Sequence, residues 1–423
     1  FEAGGDVDLE QGGKSTRLEF ALNVPSLARL GLLGQRRPLE RGLAMTATVR
    51  GTGDSLRIDD LVARIGESDV HASMHLEKGD IPDLRIEVHS DSLRLAPFLE
   101  EGAPDYDPEP EFDDGRLIPD IELPFAAMKK LNASVVLDIQ ALQRESVLLN
   151  DVTMRAELKD GAFYIHEMGF RAISGWLQAR AALEPADGVG KAKLEIKARE
   201  LRLGLAAQGA GPTTTSDIDV NIEATGMDLR TLAGNSTGVL FLDMRDFTAP
   251  DNTILKRLYG DMLNEILDTI NPFSKTNTES WISCVVLPIE IQDGLLGVNP
   301  EALVRTDKIR IVSDASINLK TEKLEMTFRT TPRKGLTISA GEILNPYVMV
   351  VGTLAKPRLA VDAKGGLISG GAAVATGGLS ILARATWERL VRSKNPCETA
   401  SKQGIELLQE RFAAFPEETG SPD

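Results

Sequence analysis

Apolar residues occupy every second position over long stretches of this chain. Ala72, Met74 and Leu76 alternate with Ser73 and His75, and Leu84, Ile86 and Val88 alternate with Arg85, Glu87 and His89. A period of two puts the apolar side chains on one face of an extended strand and the polar ones on the other. One block of the pattern recurs about one hundred residues further on. Ser55-Leu56-Arg57-Ile58-Asp59-Asp60-Leu61 lines up with Ala162-Phe163-Tyr164-Ile165-His166-Glu167-Met168, and Val70, Ala72, Met74 and Leu76 fall on Leu177, Ala179, Ala181 and Leu183. Such recurrence predicts one supersecondary unit laid down more than once. The pattern therefore predicts a mainly β protein built on a long two-faced sheet. Whether its apolar face is a closed core or a surface for apolar ligands stays open at this level.

Turn residues divide the pattern. Gly51, Gly53, Gly66 and Gly79-Asp80 punctuate a first β segment over residues 1–99. Residues 100–122 break the alternation. Asp105, Asp107, Glu109, Glu111, Asp113 and Asp114 there are oxygen donors, but their order is not that of a calcium loop and Pro108 and Pro110 stiffen the chain. An exposed acidic loop is expected. After a short helical or turn segment at 123–131, strands resume through residue 250, as at Val135-Leu137-Ile139, Val152-Met154-Ala156-Leu158, Leu194-Ile196-Ala198, Ile218-Val220-Ile222 and Leu240-Leu242-Met244. Asp160-Gly161 and Asp293-Gly294 are tight-turn dipeptides.

Helical spacing takes over at residues 251–273. Ile254, Leu255, Leu258, Met262, Leu263, Ile266, Leu267 and Ile270 recur every three or four positions, Asp251 or Asn252 can cap the start, and Asn271-Pro272 stops the run. Asp261, Glu265 and Asp268 make the polar side acidic, which favours packing across a sheet end over lying on a membrane. A C-terminal β segment follows over 274–362. Residues 363–423 read as a Gly-rich connector, a helix at 379–392 ended by Asn395-Pro396-Cys397, and a polar tail with a short helix around 404–412. The uncharged run at 365–382 approaches the length of a membrane span, but its glycines dilute the apolarity, so a flexible connector is expected.

Composition narrows the functional classes. The 423 residues carry a net charge of −16 and no long Lys/Arg run, which argues against nucleic acid and against standing attachment to anionic lipid. The acidity reads as a solubilising coat. Phe1-Glu2-Ala3-Gly4-Gly5 opens in mid-pattern, so a piece of a longer protein is expected, with any anchor or leader upstream. Cys284 and Cys397 are either buried free thiols or one disulfide.

Catalytic and metal-binding patterns are thin. Among the four histidines, His71, His75 and His89 fall at the polar parity of their strands and His166 follows Ile165. His71 and His75 share a strand face but lie too far apart to chelate one metal unaided. Cys-x-x-Cys, His-Glu-x-x-His, Gly-x-Ser-x-Gly and phosphate-loop motifs do not occur. No enzyme, cofactor or metal is expected.

Five stretches, in order, resemble the AsmA family of bacterial envelope proteins. They are Leu123-Pro124-Phe125 to Leu131 followed by Leu137-Asp138-Ile139; Leu267 to Asn271-Pro272-Phe273; Ser283-Cys284-Val285-Val286 through Asp293-Gly294; Gly352-Thr353-Leu354-Ala355-Lys356-Pro357; and Asn395-Pro396-Cys397. The family's N-terminal membrane helix and the small domain after it have no counterpart in the sequence. The resemblance implies an elongated, curled antiparallel β-sheet of repeated units with an apolar inner groove, plus a few amphipathic helices near the C-terminal end. It implies a periplasmic body anchored to the inner membrane, a bridge for phospholipid between the two membranes, and a Cys284–Cys397 disulfide. The expected partners are phospholipid, both membranes and envelope proteins. Residues expected to line the groove are Leu56, Ile58, Val70, Met74, Leu84, Ile86, Val135, Leu137, Met154, Leu177, Leu194 and Ile196. The alternative is a scaffold or assembly factor for outer-membrane proteins, binding partners along a sheet edge.

Overall fold

The computed structural model describes residues 2–8, 15–24, 42–95, 115–144, 147–186, 188–202, 215–248, 281–298, 301–306, 309–332, 348–361 and 393–412. The acidic run at 100–114, the amphipathic segment at 251–273, the connector and the helix expected at 379–392 lie outside these residues. The described chain is mainly β and divides into two compact units, Phe1–Asp107 with Leu123–Ala206, and Pro108–Glu122 with Ala207–Asp423.

Unit 1 runs β1 (Glu2–Asp8), β2 (Ser15–Val24), β3 (Leu43–Thr52), β4 (Ser55–Ile65), β5 (Ser68–Glu77), β6 (Asp83–Ser90), β7 (Leu93–Arg94), α1 (Phe125–Met128), β8 (Asn132–Arg144), β9 (Val147–Lys159), β10 (Ala162–Arg171), β11 (Trp176–Ala186) and β12 (Val189–Leu201). Each strand from β1 to β6 pairs antiparallel with the next, as does each from β8 to β12. The expected all-antiparallel order fails at one place. β6 and β7 pair with β8 in parallel, because the chain beyond β7 returns to the end at which β6 begins and sets Asn132 beside Asp83. The Asn132 N–H donates to the Pro82 carbonyl there at 2.8 Å.

The recurring block keeps its register. Ile58 opposes Met74 and Leu61 opposes Ala72; in the second copy Ile165 opposes Ala181 and Met168 opposes Ala179. Both ladders are interrupted at the same place, between Ile58 and Leu61 and between Ile165 and Met168. A bulge inserts a residue without sending the following apolar side chains to the wrong face. In β4 the inserted position is Asp60, at φ 49°.

Unit 2 comprises β13 (Thr215–Gly226), α2 (Leu229–Gly234), β14 (Thr237–Thr248), β15 (Trp281–Gln292), β16 (Leu295–Val298), β17 (Ala302–Thr306), β18 (Ile309–Asn318), β19 (Lys323–Pro332), β20 (Val348–Thr353), β21 (Pro357–Val361) and α3 (Pro396–Phe412). The ladders among its described residues are antiparallel. Pro288 is buried in the middle of β15. On one side it opposes Phe241 in an unbroken ladder; on the other, β15 pairs with β17 up to Val286 and with β16 only from Ile289. Proline has no N–H to give, so the break in pairing falls where a donor is missing.

The α3 helix lies across β14, β15 and β17. Val239, Phe241, Cys284, Val286, Leu303 and Val312 from the sheet, with Cys397, Ala400 and Leu408 from the helix, form a core in which each is at most 7% exposed. Cys284 and Cys397 are bonded, with Cα atoms 6.1 Å apart, closing a separation of 113 residues. Pro396-Cys397 opens this helix, which begins well before the short helix expected around 404–412, since proline is tolerated at the first helical position.

Candidate functional site

All twelve expected groove residues lie on one face of unit 1. Cross-strand partners share a face, so the register can be followed from strand to strand. One row runs Leu18, Val49, Ile58, Met74, Ile86, Val135, Ala156, Ile165, Ala181 and Leu194, from β2 to β12. A second runs Leu56, Leu76, Leu84, Ala133, Leu158, Phe163, Leu183 and Ala192, and a third Ala72, Val88, Leu137, Met154, Met168, Ala179 and Ile196. Val70 sits beyond the third row opposite Ala63, and Leu177 opposite Phe170 and Ala198. The parallel step does not interrupt the rows, because Leu84, Ile86 and Val88 meet Ala133, Val135 and Leu137 in register.

None of the twelve is buried. Leu56 and Leu194 are 36% and 38% exposed and the others half-buried, against 0% for Cys284, Val286 and Leu303 beneath α3. Along the three rows the side chains stay half-buried or exposed, whereas just beyond the third row Ser90, Ile139 and Ala198 on the same face are buried. The side chains shield one another laterally while their outer surfaces stay open.

Unit 2 carries a comparable face on the side away from α3. Leu240, Leu242 and Met244 of β14 alternate with the buried Val239, Phe241 and Asp243, and they oppose Ile289, Leu287 and Val285 of β15. All six are half-buried. The twelve candidates omit them, although the alternation of Leu240, Leu242 and Met244 carried the same signal as the strands of unit 1.

The other face of unit 1 is polar and laced with ion pairs, including Arg17–Glu19 at 3.0 Å, Arg85–Asp83 at 3.0 Å and Arg50–Asp59 at 2.5 Å. The Tyr164 hydroxyl donates to Glu184 Oε1 at 2.7 Å; that bond, with burial and the nearby carboxylate charges, raises the phenol's pKa. The ring of Tyr164 stacks on His166, which bonds Glu157 at 2.9 Å. The register brings His71 opposite His89, with ring centroids 6.5 Å apart, a pairing that strand spacing alone missed. Among the described residues no three His, Cys, Asp or Glu side chains group to hold a metal ion, and no helix is long and apolar enough to cross a membrane.

Asp69 shows how the polar rim is finished. Between β6 and β7 the ladder jogs at Asp91–Ser92, and the Asp69 carboxylate accepts both freed N–H groups, from Asp91 at 3.1 Å and from Ser92 at 2.9 Å. Partial burial pushes its pKa up, but these two bonds and the neighbouring His71 outweigh that, and the net shift is downward.

No protein-family model, curated protein or solved structure matches this chain.

Proposed function

We propose that this chain carries phospholipid acyl chains on the apolar face of unit 1. In this reading it is the periplasmic body of an AsmA-like protein anchored to the inner membrane, and it serves lipid passage between inner and outer membranes. The observation behind the reading is a set of apolar rows, one running from β2 to β12 and two more reaching β12 from β4 and β5, whose side chains stay half-buried or exposed. Removing an acyl chain of about sixteen carbons from water is favourable by roughly 12 kcal/mol at about 0.8 kcal/mol per methylene. A continuous wall of Leu, Ile, Val, Met and Ala supplies that surface without a catalytic group, while a headgroup stays in water. The Cys284–Cys397 bond supports the compartment, because disulfides persist in oxidising surroundings.

The test is a charge placed in the rows. Met74→Asp and Leu137→Glu should leave a soluble, folded protein that no longer crosslinks to phospholipid through a photoreactive residue at Ile86. Unfolding by several kcal/mol instead would mean that the face is a closed core. A folded variant with undiminished lipid crosslinking would exclude these rows as the lipid surface and favour the edge-binding scaffold. Native mass spectrometry of the purified chain, reading co-purified phospholipid, is the direct complement.

A further inference from the structure

The polar face of unit 1 contains a row that the fold does not require. Arg17, Arg50, Arg57, His75 and Arg85 are directly opposed from β2 to β6, five basic side chains in line on five consecutive strands. At the spacing of paired strands the row is about 20 Å long. Like charges set directly opposite one another destabilise a sheet. Four of the five have a carboxylate beside them: Glu19 for Arg17, Asp59 for Arg50, Glu77 for His75 and Asp83 for Arg85. Arg57, at the centre, is exposed and has no ion pair with any described residue, and both of its cross-strand neighbours are basic.

The second copy of the block is an internal control. There the same register is built with Glu157, Tyr164, Ala182 and Lys193, so the strands and turns do not need a cation where Arg50, Arg57 and His75 stand. Glu157 stands where Arg50 does, and Tyr164 where Arg57 does.

We propose that this row is a binding track for a linear anion bearing phosphate groups in series, with the Arg57 guanidinium as its centre. A guanidinium takes phosphate through two parallel bonds, and exposed carboxylate pairs like those of Arg17 and Arg85 are weak enough for a multivalent anion to displace. The track lies on the face opposite the apolar rows, so it does not depend on the lipid reading. The phosphates come either from a soluble oligophosphate chain or from the headgroups of an anionic bilayer.

The test uses the purified chain at low and at near-physiological salt, with three probes: tripolyphosphate, orthophosphate and phosphatidylglycerol vesicles. The variants are Arg57→Gln, and Lys193→Gln in the second copy, each confirmed folded by an unchanged thermal melt. Tripolyphosphate should bind more tightly than orthophosphate, and Arg57→Gln should weaken it roughly tenfold while Lys193→Gln does not. Arg57-dependent binding of vesicles but not of tripolyphosphate assigns the track to headgroups. Absence of saturable binding to either, or equal loss in both variants, overturns the proposal.

Discussion

Glu322 turns the chain between β18 and β19 at φ 56°, and it is 1% exposed. Its carboxylate accepts the backbone N–H groups of Leu117 at 2.6 Å and Ile118 at 2.9 Å, and the Arg230 guanidinium donates to the Ile118 carbonyl at 3.1 Å. Side chains thus hold this segment at Leu117 and Ile118, and backbone pairing joins it only at the Glu122–Asp228 bridge. Glu322→Ala should cost about 1–3 kcal/mol in urea melts, because two half-buried donors lose their buried acceptor. Asp69 serves two N–H groups in the same way, with a titration consequence. Its folded pKa is lowered, so the stability it contributes is present above the unfolded value of about 3.9 and is lost as pH falls through the folded one. The stability gap between the wild type and Asp69→Asn should therefore be open at neutral pH and narrow on acidification, as thermal melts across that range would read. Asp60, in the β4 bulge, should accept glycine with little change, whereas Asp60→Val should cost about 1–2 kcal/mol. Sequence reading missed all three roles, because each depends on a partner that only the folded register supplies.

The element that departs most from its expected character is α3. Residues from Glu398 onward look polar, yet Ala400, Gly404 and Leu408 place one buried stripe on the sheet. A Cβ on Gly404 would come within 2.2 Å of the Phe241 ring, so the helix lies flush against it. Glycine costs a helix about 1 kcal/mol relative to alanine, a cost offset here by close approach. Gly404→Leu should lift the helix and destabilise by about 1–3 kcal/mol. Replacing Cys284 and Cys397 together by serine should cost about 2–5 kcal/mol, read by denaturant melts with and without reductant. The strands, by contrast, were legible because period two leaves no ambiguity about faces. The six-residue α2 was not, since its signal is only the reciprocal Asp228 and Thr231 cap. The parallel pairing of β6 with β8 was also hidden, because it is set by where a long connection returns.

At the scale of the molecule, the alternation in sequence placed all twelve candidate residues on one face, and it did so across two bulged copies of the block. It could not reveal how much of that face stays exposed, nor that one basic residue from each of five strands falls into one row. Both depend on register and burial rather than on any one strand. An apolar surface of this extent, half-buried or exposed along its three rows, makes a prediction about the native state. An environment-sensitive apolar dye should bind the folded chain, and added phospholipid should displace it. Met74→Asp and Leu137→Glu should each reduce that binding without a fall in folded fraction.

The in-register parallel step from β6 to β8 also has an evolutionary consequence. Because Leu84, Ile86 and Val88 hand over directly to Ala133, Val135 and Leu137, a block like β8–β12 can be appended or excised without creating a new kind of junction. Each added block of five strands would lengthen the ladder by about 24 Å. Duplication alone could then adjust the reach of such a protein to the distance it must span, leaving each strand's own sequence unchanged.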